Sequence, residues 1–267
     1  MVYGSCGFDN GRVSMGNGQM LKIYVISLDS SLDRRQRFAI NNSHLDYEFF
    51  SAIDGSTIDM DVIHDPDRFA QPLHYSLGAY GCALSHLSLW EKAIELGQWI
   101  TIVEDDAILR LDFATAVENI IGSIPADTDI VHWGLNFDAV LSIKVMENIS
   151  PVVMVFDQDA MRDGIERFQA SRDEVRPFRL DQCFGTPAYS ISPVGAQRLK
   201  SICFPIRDFL LESPLISSGI RNNGIDIVMN QIYGLIHAYV CFPPLALTPN
   251  LGEESTIEKS NPVRYSP

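Results

Sequence analysis

Glu104, Asp105 and Asp106 follow directly on Trp99-Ile100-Thr101-Ile102-Val103, a short uncharged run of strand length. Side chains alternate across an extended chain, so the spacing sends Glu104 and Asp106 to one side and Asp105 to the other. Two carboxylates converging at the end of a buried strand are suited to a hard divalent cation such as Mg2+ or Mn2+, whose preferred ligands are carboxylate, phosphate and water oxygens. The charge balance gives such a cation a task. With 20 Lys and Arg against 34 Asp and Glu, the chain carries −14 at pH 7 and repels a pyrophosphate unless something cationic stands between. A bridging metal also stabilises the charge that builds on a departing nucleotide diphosphate. Phosphate-ester or glycosyl transfer fits that arrangement. A solvated acidic turn is the plainer alternative, and the position behind an apolar strand favours chemistry.

Other reactive residue types are less promising. Ser85 and His86 are adjacent on a helix, where neighbours point about 100° apart, and no Gly-x-Ser-x-Gly elbow is present, which discounts serine-hydrolase chemistry. His86 stands four residues from both Cys82 and Trp90, beside an apolar stripe, and reads as a hydrogen-bonded histidine at a packed face. Nucleotidyl transfer would bring a Gly-rich, Lys-containing phosphate loop, and none is seen. Cys6, Cys82, Cys183, Cys203 and Cys241 are odd in number and widely spaced. Neither a disulfide framework nor a CxxC metal site follows, and a reducing, cytoplasmic setting is the simplest reading.

The acids need elements to position them. Leu21 to Leu28 reads as a buried first strand, a helix follows from Asp33 through Ile40, and Tyr47 to Ile53 is a second strand closed by the turn Asp54-Gly55. Ser56 to Ser76, with Pro66 and Pro72, reads as a long irregular connection. Leu77 to Leu96 has helical periodicity and Gly97 as its stop. After the strand at Trp99 to Val103 come a helix at Phe113 to Ile121 and strands at Asp129 to Leu135 and Val152 to Phe156. The charged stretch Gln158 to Arg179 reads as a mobile excursion over the sheet. A strand at Ala188 to Ile191, helices at Val194 to Ile202 and Asp226 to Ile236, and a last strand at Ala238 to Phe242 complete the pattern. Alternating strands and helices predict an α/β domain with a mainly parallel sheet flanked by helices and a less regular C-terminal third. Ligands of such sheets bind at the carboxyl ends of the strands.

At 267 residues, 46% hydrophobic and 20% charged, the composition is that of a folded globular chain. The acidic balance has the wrong sign for nucleic acid or for anionic membrane, and no apolar stretch approaches the roughly 20 residues of a membrane span. Membrane contact is expected to be peripheral at most. Residues 1–20, rich in Gly, Ser and Asn, read as a flexible N-terminal tail and 258–267 as a C-terminal one, with a single domain over 21–257.

Five ordered runs resemble glycosyltransferase family 25: Ile23-Tyr24-Val25-Ile26-Ser27-Leu28 with Arg34-Arg35; Ala52-Ile53-Asp54-Gly55; Gly81-Cys82-Ala83-Leu84-Ser85-His86 with Trp90; Val103-Glu104-Asp105-Asp106; and Gly185-Thr186 through Ser192 with Gly195-Ala196. That family contains bacterial lipo-oligosaccharide galactosyltransferases and resembles the collagen galactosyltransferases. The resemblance implies a GT-A-like sheet and a metal-dependent, inverting transfer of a hexose, galactose first, from a UDP-sugar to an oligosaccharide or lipid-linked glycan acceptor in bacterial lipo-oligosaccharide or LPS biosynthesis. It places the enzyme in the cytoplasm or peripherally at the inner face of the inner membrane. The rival is a carbohydrate-binding or adhesion protein that keeps the scaffold without turnover, against which the intact acidic triplet argues.

Carried over by residue, the resemblance puts Glu104 near the ribose or a metal-bound water, makes Asp106 the direct ligand of Mn2+ (or Mg2+), and leaves Asp105 between them. Ser27, Leu28, Arg35, Asp54 and Gly55 map to the base and ribose pocket. Arg34-Arg35 also reads as an ordinary solvated helix start, and Asp54-Gly55 as only a turn. His237 is a candidate for the late metal ligand of GT-A enzymes, against a structural role before a strand. Inverting transfer needs a carboxylate to take the acceptor proton. Asp226, Asp181 and Glu212 are the candidates, with Asp226 first by resemblance and helix capping as its alternative role. Gly185 to Tyr189 is expected to form an acceptor-side wall, with the Tyr189 ring facing a sugar. Two departures stand out: Gly78-Ala79-Tyr80-Gly81-Cys82 where relatives often have Gly-Glu-x-Gly-Cys, and Gly224-Ile225-Asp226 where they often have Pro-x-Asp.

Overall fold

The computed structural model describes residues 22–146, 149–213 and 216–249. The expected tails at 1–20 and 258–267, and the outer margins of the 21–257 domain, lie outside the described residues. In chain order the elements begin with β1 (Lys22–Ser27), α1 (Leu32–Asn41), β2 (Glu48–Ser51), a single tight turn over Gly55–Thr57, α2 (Met60–Ile63), α3 (Leu77–Leu96), β3 (Ile100–Glu104), β4 (Ile108–Leu109) and α4 (Phe113–Ile121). They continue through β5 (Ile130–His132), β6 (Val140–Met146), β7 (Ser150–Val155), α5 (Gln158–Asp163), α6 (Ile165–Ala170), β8 (Arg176–Cys183) and β9 (Ala188–Ile191). The last are α7 (Pro193–Cys203), β10 (Leu210–Ser213), β11 (Ile216–Arg221), α8 (Ile225–Asn230), β12 (Ala238–Phe242) and β13 (Ala246–Leu247).

Local chemistry sets the helix ends. The Ser76 side chain accepts from the Ala79 N–H at the start of α3, and Gly97 ends that helix in the left-handed region at φ 63°. Ser192 caps α7 in the same way through the Gly195 N–H, with Pro193 in the first turn.

Nine strands form one sheet in the order β2-β1-β3-β9-β5-β12-β8-β6-β7. The pairs β1–β2, β1–β3 and β5–β12 are parallel, and β9 runs antiparallel between β3 and β5. Strands β1, β2, β3, β5 and β12 therefore point the same way and bring their carboxyl ends to one edge. Alternate residues serve opposite faces: Tyr24, Ile102 and Tyr189 pack with Trp90 and Leu199 on one side, whereas Val25, Val103 and Ala188 pack with Phe38 and Phe113 on the other. Both faces are covered, so the central strands are apolar throughout. No helix among the described residues is long and apolar enough to cross a membrane.

Gln158 to Arg179 is not the mobile excursion its charge implied. It folds into α5 and α6, and from Arg176 onward it becomes β8, antiparallel to both β12 and β6. Long cationic stems make this possible: the Arg179 guanidinium lies 5.2 Å from the Tyr239 ring centroid and donates to the Ile236 carbonyl. The helix expected over Asp226 to Ile236 ends at Asn230, yet Ile232, Tyr233 and Ile236 stay buried in the turns that follow.

Tyr189, expected to face a sugar, is fully buried. Its hydroxyl accepts from Trp90 Nε1 at 2.9 Å and meets His86 Nδ1 at 2.8 Å. His132 stacks on the same ring and meets the Tyr233 hydroxyl at 2.9 Å. Hydrogen bonds to the Tyr189 hydroxyl thus join α3 to β9, and His132 joins β5 to the turn after α8, all within an apolar layer where such bonds are strong; His86 Nε2 is buried there without a partner among the described residues.

Burial pushes His86 down to about 4 and His132 down to about 3. Both are neutral when folded and take up a proton near 6.5 once unfolded. Their contribution is complete above about pH 6.5 and is lost as pH falls toward 4, at about 2 kcal/mol per histidine down to about pH 5. Urea unfolding of the parent and of His132→Gln at about pH 7 and pH 5 checks this: the variant should lose less stability between the two, and equal losses would refute the assignment.

Candidate functional site

A cavity of about 830 Å³ opens at the carboxyl-end edge of β1 and β3. Its walls come from α1, the 52–56 segment, the start of α3, the turn after β3, residues 136–138, the approach to β9 and the start of α8.

At its floor lies the acidic turn. β3 ends at Glu104 and the chain turns at Asp105-Asp106, so strand alternation stops there and all three acids line the cavity. This corrects the expectation that Asp105 points away. The parallel register that sets Ile26 beside Glu104 carries Ser27 up to Asp105, and Ser27 Oγ donates to Asp105 Oδ2 at 2.7 Å. Arg34 donates through Nε to Asp105 Oδ1 at 2.8 Å and through Nη2 to Asp106 Oδ2 at 3.1 Å. Asp105 is only 8% exposed, and a buried carboxylate is tolerable when paired and hydrogen-bonded in this way. Thr186 Oγ1 donates to Glu104 Oε1 at 2.6 Å.

Two of the acids are kept unusually basic. Burial pushes Glu104 up to about 8, helped by the charges of Asp106 and Asp226 and only partly offset by the Thr186 bond and Arg34. Burial, with the Asp105 charge, also holds Asp106 above the ordinary carboxylate range despite Arg34. Asp106 Oδ1 is buried without a hydrogen-bond partner among the described residues. That unspent oxygen beside a second carboxylate fits an oxygen-seeking dication that completes its shell with water and phosphate. Among the described residues no set of three or more His, Cys, Asp or Glu forms an all-protein cage.

The 52–56 segment and α3 interlock. A Cβ on Gly55 would stand 1.8 Å from the Leu77 carbonyl oxygen, and one on Gly81 would stand 2.3 Å from that of Ile53. Ser85 Oγ accepts from the Ile53 N–H at 2.9 Å and donates to the Gly81 carbonyl at 2.7 Å. Close backbone approach, rather than left-handed geometry, is what requires these glycines. It presents Asp54, Gly55, Gly78 and Ala79 along one wall of the cavity.

The other residues singled out by sequence divide cleanly. Leu28, Asp54, Gly55 and Asp226 line the cavity, and Asp226 Oδ2 accepts from the Gly185 N–H at 3.0 Å. Burial is the main cause of the raised Asp226 carboxyl pKa. Ser27 lies beneath the acidic turn instead of in the wall. Arg35 does not line the cavity: it donates to the Ser27 carbonyl, pairs with Asp29 and stacks on Phe49. Arg34, one position earlier on α1, is the guanidinium that enters. Asp181, held by Ser142 and Lys144, and Glu212, exposed on β10, are likewise not lining residues. His237 precedes β12 at the amino-end edge of the sheet, where it pairs with Asp127 at 2.8 Å, so it cannot join Asp106. Of the stretch expected as an acceptor-side wall, Gly185 and Thr186, just before β9, do line the cavity, with Thr186 bonded to Glu104. Asn136 and Asp138 were not anticipated; they arrive from the segment after β5, and only tertiary packing brings them here.

The family model described as glycosyltransferase family 25 (LPS biosynthesis protein) matches residues 20–210. Among curated proteins, a glycosyltransferase 25 family member of Aedes aegypti is 32% identical over 125 residues, 42% of this chain and 21% of that protein. A putative glycosyltransferase of Haemophilus influenzae is 30% identical over 143 residues, 49% of each chain. Procollagen galactosyltransferase 1 of Danio rerio is 22% identical over 195 residues, 67% of this chain and 28% of that protein. The matches therefore span between 21% and 49% of these relatives' own lengths.

The glycine interlock is tested by comparing Gly81→Ala with Gly97→Ala. A Cβ at Gly97 meets nothing within 4 Å, so only the strain of its backbone conformation applies, about 1 kcal/mol. At Gly81 the methyl must displace backbone, and a loss of about 3 kcal/mol is expected in urea unfolding. Equal losses at the two sites would show that the contact is not tight.

Proposed function

The chain belongs to glycosyltransferase family 25, and from that premise we propose that it transfers a hexose, galactose first, from a UDP-sugar to a glycan acceptor in bacterial lipo-oligosaccharide or LPS biosynthesis, on the cytoplasmic side of the membrane. The observation that carries this reading is the acidic turn Glu104-Asp105-Asp106 sharing one cavity with Asp226. Galactose draws support from the name of the Danio rerio relative and the LPS role from the description of the matching family.

The donor's nucleoside is assigned to the wall formed by Leu28, Asp54 and Gly55, and its diphosphate to the side where Arg34 and Arg37 project from α1. Glu104 and Asp106 would hold a divalent cation, which when bound supplies positive charge against the diphosphate. Asp226 is assigned as the general base. The acceptor hydroxyl oxygen bonds to the anomeric carbon while its proton passes to the Asp226 carboxylate, and the bond from that carbon to the diphosphate oxygen breaks with its electron pair leaving on UDP. A single displacement of this kind inverts the anomeric configuration. Burial of Asp226 favours proton uptake, and its bond from Gly185 fixes the carboxylate plane. Arg34 and Ser27 act by holding Asp105, which keeps the turn in place.

Calorimetry with UDP, with and without Mn2+, and product analysis from UDP-galactose separate the parts. The parent should bind UDP more tightly with Mn2+, and Asp106→Asn should lose that enhancement; equal affinity with and without the metal would remove the metal from the reading. Asp226→Asn should keep UDP binding and lose roughly 100-fold or more in turnover. Parental turnover in that variant would exclude Asp226 as base. Tight UDP binding with no turnover of any nucleotide sugar would favour the carbohydrate-binding alternative.

A further inference from the structure

The basic groups of the cavity sit at one end. Of its lining residues only Arg34 and Arg37 are basic, and both belong to α1. The opposite wall, where residues 136–138 meet the start of α8, presents Asn136, Asp138, Asn223 and Asp226 with no Lys, Arg or His. Asp138 and Asn223 are exposed. The side chains of Asn136, Asp138 and Asn223 have no hydrogen-bond partner among the described residues, so their capacity is available to a ligand.

The Asn136 amide is placed there by a gap. Gly185 has φ 77°, and a Cβ on it would lie 2.2 Å from Asn136 Oδ1. The missing side chain leaves room for the amide, and the same residue's N–H fixes Asp226. Asp138 is near enough that its charge adds to the effect of burial on Asp226. Two amides and two carboxylates suit hydroxyl groups, which donate to carboxylates and both donate to and accept from amides. A carboxylate or phosphate on the incoming sugar would face the Asp138 and Asp226 carboxylates with no Lys, Arg or His on that wall to pair with it.

Resting on the glycosyl-transfer reading above, we propose that this wall is the acceptor subsite, that it takes an uncharged sugar, and that Asp138 is the specificity-determining residue that turns away anionic ones. Discrimination of this kind comes from a repulsive element placed against the wrong partner.

Matched probes test it: nitrophenyl hexosides in the gluco, galacto, manno and N-acetylgluco series, set against nitrophenyl uronides and sugar 6-phosphates of the same stereochemistry. Binding is read by saturation-transfer NMR in the presence of UDP, and transfer from UDP-galactose by mass spectrometry. The parent should favour at least one neutral probe over its anionic partner by roughly tenfold or more. Asp138→Asn, nearly isosteric, should narrow that ratio, and Asp138→Lys should abolish or reverse it. Glu174→Gln, an exposed change outside the cavity lining, removes the same net charge and should leave the ratio unchanged. The proposal is overturned if anionic probes bind as well as neutral ones, if no probe binds, if Asp138→Lys keeps the parental ratio, or if Glu174→Gln moves it as far as Asp138→Asn does. Binding that discriminates in this way without transfer would count against the transfer reading and leave the subsite standing.

Discussion

Three carboxylates in consecutive positions cannot be gathered at the floor of a cavity without opposite charge close by, and the Arg34 guanidinium between Asp105 and Asp106 supplies it. Much of the molecule follows from that requirement. Arg34 must come from an element lying across the end of β3, which α1 does because β1 pairs in parallel with β3 and releases the chain at the same edge. The second partner of Asp105, Ser27, is the last residue of β1, so the register that aligns the strands also delivers the hydroxyl. Neutralisation is incomplete: Glu104 and Asp106 remain high in pKa, and one Asp106 oxygen has no hydrogen-bond partner among the described residues. A cation-bearing ligand would relieve both conditions.

The rest of the cavity is held by close backbone packing. Gly55 and Gly81 let the 52–56 segment rest on the first turns of α3, and Ser85 ties the two with its hydroxyl. α3 is in turn anchored to the sheet by His86 and Trp90, which converge on the Tyr189 hydroxyl. Tyr189 lies on β9, whose approach segment supplies Gly185 and Thr186 to the cavity. A buried polar network and an exposed polar site therefore share one strand, so disturbance of the network would be transmitted to Glu104 through Thr186.

Charge is distributed unevenly around this frame. The chain is strongly acidic as a whole, yet the cavity carries its two arginines on α1 and leaves its far wall to carboxylates and amides. On the proposed reading the first would accommodate a diphosphate and the second uncharged hydroxyl groups. Such polarity would orient a phosphate-bearing donor before any reacting atoms meet, because reversal would set its phosphates against Asp138 and Asp226.

Where apolar periodicity was strong, the residues by themselves determined the outcome. The helices over Leu77–Leu96 and Phe113–Ile121 and the strands over Ala188–Ile191 and Ala238–Phe242 have the limits their patterns predict, since the spacing of apolar side chains and the caps beside them are local properties. The acidic triplet was legible for the same reason: charges cannot continue a buried strand. Which side chains meet there was settled only in three dimensions. Arg34 and Arg35 are neighbours on one helix turn, and only the way α1 lies on the sheet decides which of them enters the cavity. His237 was misplaced because its sequence does not reveal at which end of β12 the acids gather. β8 looked like a surface excursion because Arg179 finds an aromatic face and a carbonyl to cover only after β12 is in place. Ser27 and Asp105 are 78 residues apart, and no local pattern encodes a bond across that distance; strand pairing does.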